Sequence, residues 1–440
     1  MQQQLKEIIL DYQGVKLFTG VRRTVEVTPV SKKASIYIGV RRSGKSTLMF
    51  QVIHRLLDEG ISRENILYLN FFDERLHGLH EIGLGAILEA YFSLYPEKKN
   101  TEKIYCFFDE IQMFNGWEPF VDRIMRMENC EVYITGSSAQ MLSKEIATTM
   151  RGRALSWEIF PFSFQEFVEA KGLNPNGPVS TKERLLLQNA FDQYFKEGSF
   201  PEVLGLSKHM RIKILQEYFS SVLSRDLIER HDISHPKAAI DLARWFIDNN
   251  SAMFSLNSIT GYLKSLGYKI SKSTVSDFVA WFEDAYFFFA VRIFDTSLAR
   301  ANSNPKKIYC IDHAMVNAVN SGIMVNSGRL LENIVFMALR RLTTQIYYYK
   351  TDKGREVDFI VQTPDRNKKL IQVCESLADP KTKLREVQAL QDAMLELKLK
   401  NGIIVTRAEE TSIEVDSGKI EVIPAWRFLL SISLKDKDSS

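Results

Sequence analysis

An α/β fold class that opens with a parallel-sheet core is expected from three observations in the first third of the chain. Ala34 to Ile38 (ASIYI) is a short apolar, partly β-branched run of strand length. A turn rich in glycine and basic residues follows, and Leu48, Val52, Ile53, Leu56 and Leu57 then recur at helical spacing. Two further apolar runs of strand length, Ile104 to Phe108 (IYCFF) and Glu131 to Thr135 (EVYIT), continue the alternation that builds parallel sheets.

Each element has a chemical reading. After the first strand, Gly39 to Thr47 reads GVRRSGKST, a glycine, four residues and then Gly-Lys-Ser, the P-loop or Walker A pattern. Gly39 and Gly44 let the backbone curl so that successive N–H groups and the helix N-terminus face phosphate oxygens. Gly39, Arg42, Ser43, Gly44, Lys45, Ser46 and Thr47 form the expected cradle for ATP. In it, Lys45 reaches the β- and γ-phosphates and the Ser46 hydroxyl ligates Mg²⁺. The second strand runs directly into Asp109 and Glu110, the Walker B arrangement. Asp109 is expected to hold Mg²⁺, and Glu110 to polarise the water that attacks the γ-phosphate.

The third strand ends in Gly136-Ser137-Ser138, where a polar residue between the two Walker strands would sense the γ-phosphate. Ser137 and Ser138 are not separable by sequence, and a serine pair capping the helix near Gln140 reads equally well. Next comes Met150-Arg151-Gly152-Arg153. An arginine here could serve as a finger on a neighbouring subunit's phosphate, which would make the active form a homo-oligomer. Ser138 and Arg153 stand with Lys45 and Glu110 as the candidate catalytic set. Hydrolysis fits this set better than phosphoryl transfer to a small molecule.

Composition bounds the rest. With 440 residues the chain has room for two or three domains, and 45% hydrophobic residues are ample for burial. A formal net charge of +3 permits a nucleic-acid partner without arguing for one. The N-terminus MQQQLKEIILDYQG lacks the pattern of a secretory signal, and the longest purely apolar stretch, Ala285 to Val291, is far short of a membrane span. Cys106, Cys130, Cys310 and Cys374 lie far apart with no CxxC pairing, which argues against zinc sites and a disulfide framework. A reducing cytoplasmic location, with no membrane partner, is the simplest expectation.

The segments FFDEIQMFNGWEPF, VYITGSSAQML, RGR, IFPFSFQEF and EGSFPEV together resemble a prokaryotic family of AAA+-superfamily, archaeal-type ATPases. The resemblance runs over nearly the whole chain. It implies an ATPase core over residues 1–160, a helical lid and connector over 161–235, a winged-helix region over 236–300, and a restriction-endonuclease-like α/β domain over 301–440.

The intervening residues allow that reading. Phe160 to Gly198 alternates aromatic and acidic residues, with Asn174 to Gly177 (NPNG) as a loop within it, and Tyr218 to His231 reads as a half-solvated helix. Ala238 to Ile247, Leu256 to Leu266 and Thr274 to Phe282 give three short amphipathic helices, followed by a β-rich ribbon at Tyr286 to Phe294. Ser271-Lys272-Ser273-Thr274 opens the third helix with groups suited to phosphate contact, although winged helices also serve as protein-interaction modules. A DNA partner is therefore carried beside a protein one.

The last domain resembles the endonuclease core through a helix carrying Glu332, a hairpin carrying Asp358 and a strand carrying Gln372. Strand alternation places Gln372 and Cys374 on one face, toward Asp358. An active nuclease of this type uses carboxylates for Mg²⁺ and a lysine. Here Cys374 stands at the lysine position and Gln372 at the second carboxylate, so a degenerate site kept for binding or assembly is expected. Lys383 or Arg385 could substitute in space. The leading expectation is a Mg²⁺-dependent ATPase that drives conformational or assembly change in an attached nuclease-like half. An ATP-dependent nuclease of defence or mobile-element biology, and a slow-hydrolysing signalling switch, are the alternatives.

Overall fold

The computed structural model describes residues 1–137, 150, 152–174, 180–321, 326–362 and 367–434. The chain divides into two compact units, residues 1–160 and the part from Pro161 onward.

In the first unit, β1 (Ala34–Ile38), β2 (Ile66–Asn70), β3 (Ile104–Asp109), β4 (Cys130–Gly136) and β5 (Ala154–Glu158) form one sheet in the order β2-β3-β4-β1-β5. Every neighbouring pair is parallel. β1 and β3 are buried along their whole length, which is why both read as unbroken apolar runs rather than as alternating ones. Helix α1 (Gln2–Gly14) precedes the sheet, and α2 (Lys45–Asp58), α3 (Gly85–Leu94) and α4 (Trp117–Met127) lie between strands. α2 buries Leu48, Met49, Val52, Ile53 and Leu56. Those side chains share one core with Tyr37, Tyr68, Phe107 and Tyr133, where the Phe107 and Tyr133 rings stack 4.5 Å apart. Because β4 sits between β1 and β3, the ends of the two Walker strands flank the end of β4.

The second unit starts with α5 (Phe164–Ala170), α6 (Thr181–Glu197) and α7 (Lys208–Ser221), and α7 runs into a π-helical stretch, Val222–Glu229. The run PFSFQEF is explained by its start: Ser163 and Glu166 form a capping box that satisfies the first amides of α5. EGSFPEV is likewise explained by a contact distant in sequence. The Ser199 amide and hydroxyl both donate to Asp312 Oδ2 at 2.6 Å. Gly198, at φ +91°, has no room for a side chain beside Ala314.

Next come α8 (Pro236–Asp248), β6 (Met253–Phe254), α9 (Leu256–Ser265), α10 (Lys272–Asp284), β7 (Phe288–Val291) and β8 (Lys306–Cys310). β6, β8 and β7 make an antiparallel three-stranded sheet with β8 in the centre. Its central strand thus lies beyond residue 300. At the start of α10 the Ser271 side chain accepts from the Thr274 amide, so that hydroxyl caps the helix.

After α11 (His313–Val319) and α12 (Ser327–Leu342), the strands β9 (Ile346–Lys350), β10 (Glu356–Gln362), β11 (Lys368–Val373), β12 (Asn401–Thr406), β13 (Thr411–Val415) and β14 (Gly418–Pro424) form a six-stranded sheet. Its order is β13-β14-β12-β11-β10-β9. The β9-β10-β11 meander is antiparallel, and α13 (Pro380–Glu396) provides the crossover to β12, which is parallel to β11. α14 (Ala425–Leu434) follows the sheet.

Candidate functional site

The P-loop joins β1 to α2. A Cβ on Gly39 would stand 2.1 Å from the Ile159 carbonyl oxygen, and one on Gly44, at φ +95°, would stand 2.9 Å from an Arg23 guanidinium nitrogen. At Gly39 a side chain would collide with backbone, and at Gly44 it would be strained by the positive φ and would press on the Arg23 guanidinium. Arg42 also adopts a left-handed conformation, at φ +65°. Lys45 is 5% exposed, and its ammonium donates to the carbonyls of Gly39 and Val40 at 3.0 and 3.1 Å. The Ser43 hydroxyl is buried and has no hydrogen-bond partner among the described residues, as expected of a group kept for a ligand. Ser46 and Thr47 occupy the first turn of α2.

Arg23 braces this loop from an irregular segment. Its two terminal nitrogens donate at 2.6 Å to the carbonyls of Ser43 and Phe160. Gln51 on α2 ties down the same segment through the carbonyls of Thr19 and Val21, at 2.6 and 2.7 Å. No periodicity or motif marks Arg23 in the sequence.

β3 delivers Asp109 and Glu110 opposite Lys45, whose Nζ lies 3.9 Å from Glu110 Oε1. Asp109 is 2% exposed and accepts the Tyr68 hydroxyl at 2.9 Å and the Thr135 hydroxyl. Burial, followed by the Asp109 charge, raises the Tyr68 hydroxyl far above its ordinary range, so it remains a donor. Thr135 also accepts the Glu110 amide at 2.8 Å, and the Gln112 side-chain amide donates to the Glu110 carboxylate. Glu110 itself sits at φ +60°, a conformation that non-glycine residues hold only where surrounding structure fixes it. Ser46 and Asp109 supply hard oxygen donors that suit Mg²⁺.

Thr135 thus links the Asp109 carboxylate to the Glu110 backbone amide, and a polar side chain inside an apolar strand was the signal for it. Ser137 is buried at the end of β4, whereas Ser138 lies outside the described residues. Arg151 lies outside them as well. Arg153 pairs with Asp122 on α4 at 3.1 Å, an acid shared with Arg126.

The C-terminal cluster is brought together in part. Glu332 (α12), Asp358 (β10) and Gln372 (β11) converge and are each less than a tenth exposed. The Gln372 side chain accepts the Asp358 amide at 3.1 Å and donates to Glu386 at 2.7 Å, while Asp358 Oδ2 accepts the Val373 amide at 2.9 Å. Cys374, on the face of Gln372 as alternation requires, packs with Val357, Leu370 and Leu390, and burial followed by the Glu386 charge pushes its thiol up to about 12. Lys383 is exposed and Arg385 pairs with Glu386, so neither fills the lysine position. The carboxylates instead meet a lysine from an earlier strand. Lys307 on β8 places its Nζ 2.8 Å from Glu332, 2.8 Å from Asp358 and 2.7 Å from Glu356, and Tyr309 donates to Glu332 at 2.7 Å. Burial pushes the Glu332 carboxyl up and the Asp358 charge adds to that, while Lys307 opposes both.

Comparison with known proteins matches three segments of the chain. Residues 31–168 match an AAA domain, residues 188–326 a domain of unknown function (DUF8612), and residues 327–428 another (DUF4143). An uncharacterized protein of Methanocaldococcus jannaschii is 35% identical over 437 residues, covering 97% of this chain and 95% of that protein. An uncharacterized protein of Haemophilus influenzae is 31% identical over 329 residues, covering 74% of this chain and 79% of its own. Among solved structures, the ORC1 protein of Aeropyrum pernix in complex with DNA aligns with a TM-score of 0.31 and 15% identity, over 72% of this chain and 90% of that one. The parallel sheet, the P-loop and the Walker carboxylates are those of an ATPase of the AAA type. No described helix is long and apolar enough to cross a membrane. The chain, an AAA domain followed by two domains of unknown function, belongs to the family of the M. jannaschii protein.

Proposed function

We propose that the chain is a Mg²⁺-dependent ATP hydrolase whose turnover drives conformational or assembly change in its second unit. The observation that carries this reading is the approach of Lys45 and Glu110, 3.9 Å apart at the ends of a P-loop and a Walker strand. Lys45 exchanges its loop carbonyls for phosphate oxygens when ATP enters. Glu110, anchored through its amide to Thr135, takes the proton of the attacking water. Bound Mg²⁺ supplies charge neutralisation at the β- and γ-oxygens, with Ser46 and Asp109 as the residues that would hold it. Ser138 is the second candidate for positioning the water.

The test is Glu110→Gln. ATP affinity should stay within a factor of about three while hydrolysis falls at least about 100-fold. Undiminished turnover would remove the assignment.

In the second unit we read α8 to α10 with β6 to β8 as a winged helix, supported by the helix-strand-helix-helix order and the antiparallel β6-β8-β7 sheet. The β9-β10-β11 meander with its α13 crossover supports a restriction-endonuclease-like reading of the C-terminal sheet. DNA is the nucleic-acid partner this arrangement would meet. ATPase rate and particle mass with and without single- and double-stranded DNA test that partner, and indifference to both DNAs would discard it. If Arg153 acts as a finger between subunits of a homo-oligomer, it must leave Asp122. Mixing Arg153→Ala with Lys45→Ala chains should then restore activity that neither has alone.

The slow-switch reading is favoured by one contact. The Gln112 amide holds the carboxylate that must receive the proton. Gln112→Ala should speed single-turnover hydrolysis if that contact restrains Glu110.

A further inference from the structure

A nuclease site of the restriction-endonuclease type requires carboxylates left free for Mg²⁺ with a lysine beside them. The residues gathered here do not fit that ion. The Lys307 ammonium stands within 2.8 Å of oxygens from Glu332, Glu356 and Asp358, and its side chain is only 4% exposed. A divalent ion placed among the same oxygens would meet a like charge at contact distance in a site where Glu332 and Asp358 are buried and Glu356, its side chain 37% exposed, faces solvent. The other partners are committed too: Asp358 Oδ2 to the Val373 amide, and Gln372 to the Asp358 amide and to Glu386. Among the described residues, no three His, Cys, Asp or Glu side chains are placed to share a metal ion.

We propose that Lys307 is the resident cation of this site, an ammonium that takes the place of the metal and makes the cluster a non-cleaving joint between β8, α12 and β10. The strand that supplies it is central in the small antiparallel sheet, whereas Glu332 and Asp358 belong to the segment after it. The contact is continued by apolar and backbone groups. The Tyr309 ring stacks on Phe336 at 4.2 Å, and the Asn333 side chain brackets the Cys310 backbone, accepting from its amide at 2.8 Å and donating to its carbonyl at 2.9 Å. An alternative is that Lys307 is the lysine of a working nuclease. That would need an open approach for a phosphate, and Glu332, Asp358 and Gln372 are 8%, 6% and 6% exposed.

The inference deepens the endonuclease-like reading and is separable from it, because metal-dependent cleavage would support that reading while overturning this one. The experiment uses the full chain with Lys307→Met, Glu332→Gln and the double variant, followed by thermal unfolding with and without Mn²⁺ and by cleavage assays on single- and double-stranded DNA. Lys307→Met should lower the melting temperature by at least about 5 °C, because it leaves buried carboxylates uncompensated. The double variant should lose less than the sum of the singles. Wild type should cleave nothing, and millimolar Mn²⁺ should not stabilise it in any way that depends on Asp358. Additive losses, Mn²⁺ stabilisation removed by Asp358→Asn, or cleavage removed by Asp358→Asn would each overturn the proposal. If Lys307→Met yields no folded protein, Glu332→Gln with Asp358→Asn carries the test. Removing both partners of one buried ammonium should cost more than the two single losses together, and simple additivity would count against the joint.

Discussion

Thr135 ties the Asp109 carboxylate to the Glu110 backbone with a single hydroxyl, donating to Asp109 and accepting from the Glu110 amide. Thr135→Val keeps the volume and removes both bonds. It should destabilise the first unit by about 1–3 kcal/mol, because a buried acceptor and a buried amide lose partners. Hydrolysis should fall by roughly 10–100-fold as Glu110 loses its anchor. Denaturant unfolding and steady-state turnover would check this, and a variant as stable and active as wild type would show that the hydroxyl is dispensable. At this scale legibility in the sequence depends on contiguity. Gly39, Gly44 and Lys45 are readable because one short loop carries the whole pattern, and Asp109-Glu110 because both sit at one strand end. Arg23 and Lys307 are not readable, since each reaches its site from a segment whose own pattern reports nothing about that destination. Cys374 follows the alternation: Leu370 and Cys374 flank Gln372 on one face and share an apolar cluster, so the position is legible while its apolar surroundings are not.

The elements themselves were legible wherever burial is continuous. β1 and β3 announce themselves as apolar runs. Less legible was β8, because a strand of Lys306-Lys307-Ile308-Tyr309-Cys310 begins with two lysines, one of which is buried for reasons only tertiary structure supplies. The link between α6 and the residues around α11 was hidden for the same reason. There His313 is buried and its Nε2 lies 2.9 Å from the Tyr194 carbonyl, which makes Nε2–H the donor of a neutral ring. Burial holds its pKa below the ordinary histidine range. The unfolded chain therefore takes up this proton before the folded one does. The stability contributed by the neutral ring is complete above about pH 6.5 and is lost as pH falls below that value. The melting temperature of the second unit should drop between pH 7.5 and 5.5, and a His313→Gln variant should show a smaller drop over the same interval. Equal pH slopes would show that other groups carry the effect. In the first unit, Gly39→Ala would push a methyl against the Ile159 carbonyl, and equilibrium dialysis should find ATP binding reduced at least about 10-fold.

For the whole molecule, the division into two compact units has a thermodynamic reading. Calorimetry should resolve two transitions, and Mg-ATP at a hundred times its Kd should stabilise only one of them, by about 2.7 kcal/mol. The Glu110→Gln variant is the form to use, because it keeps the ligand intact during the scan. A single transition that shifts as one would contradict the division. The boundary near residue 160 came from the family resemblance and coincides with the end of the first compact unit, whereas the completion of the acidic centre around Asp358 by a strand made some fifty residues earlier was not legible. That arrangement bears on the order in which the ribosome releases the chain. Lys307 emerges first and stays solvated until Glu332 and Asp358 have followed it, so the last domain cannot settle its buried acids until an already-made strand returns to them. A fragment beginning at residue 327 would be born without its counter-ion, and any dissection of this protein into pieces should keep β8 with the sheet that follows it.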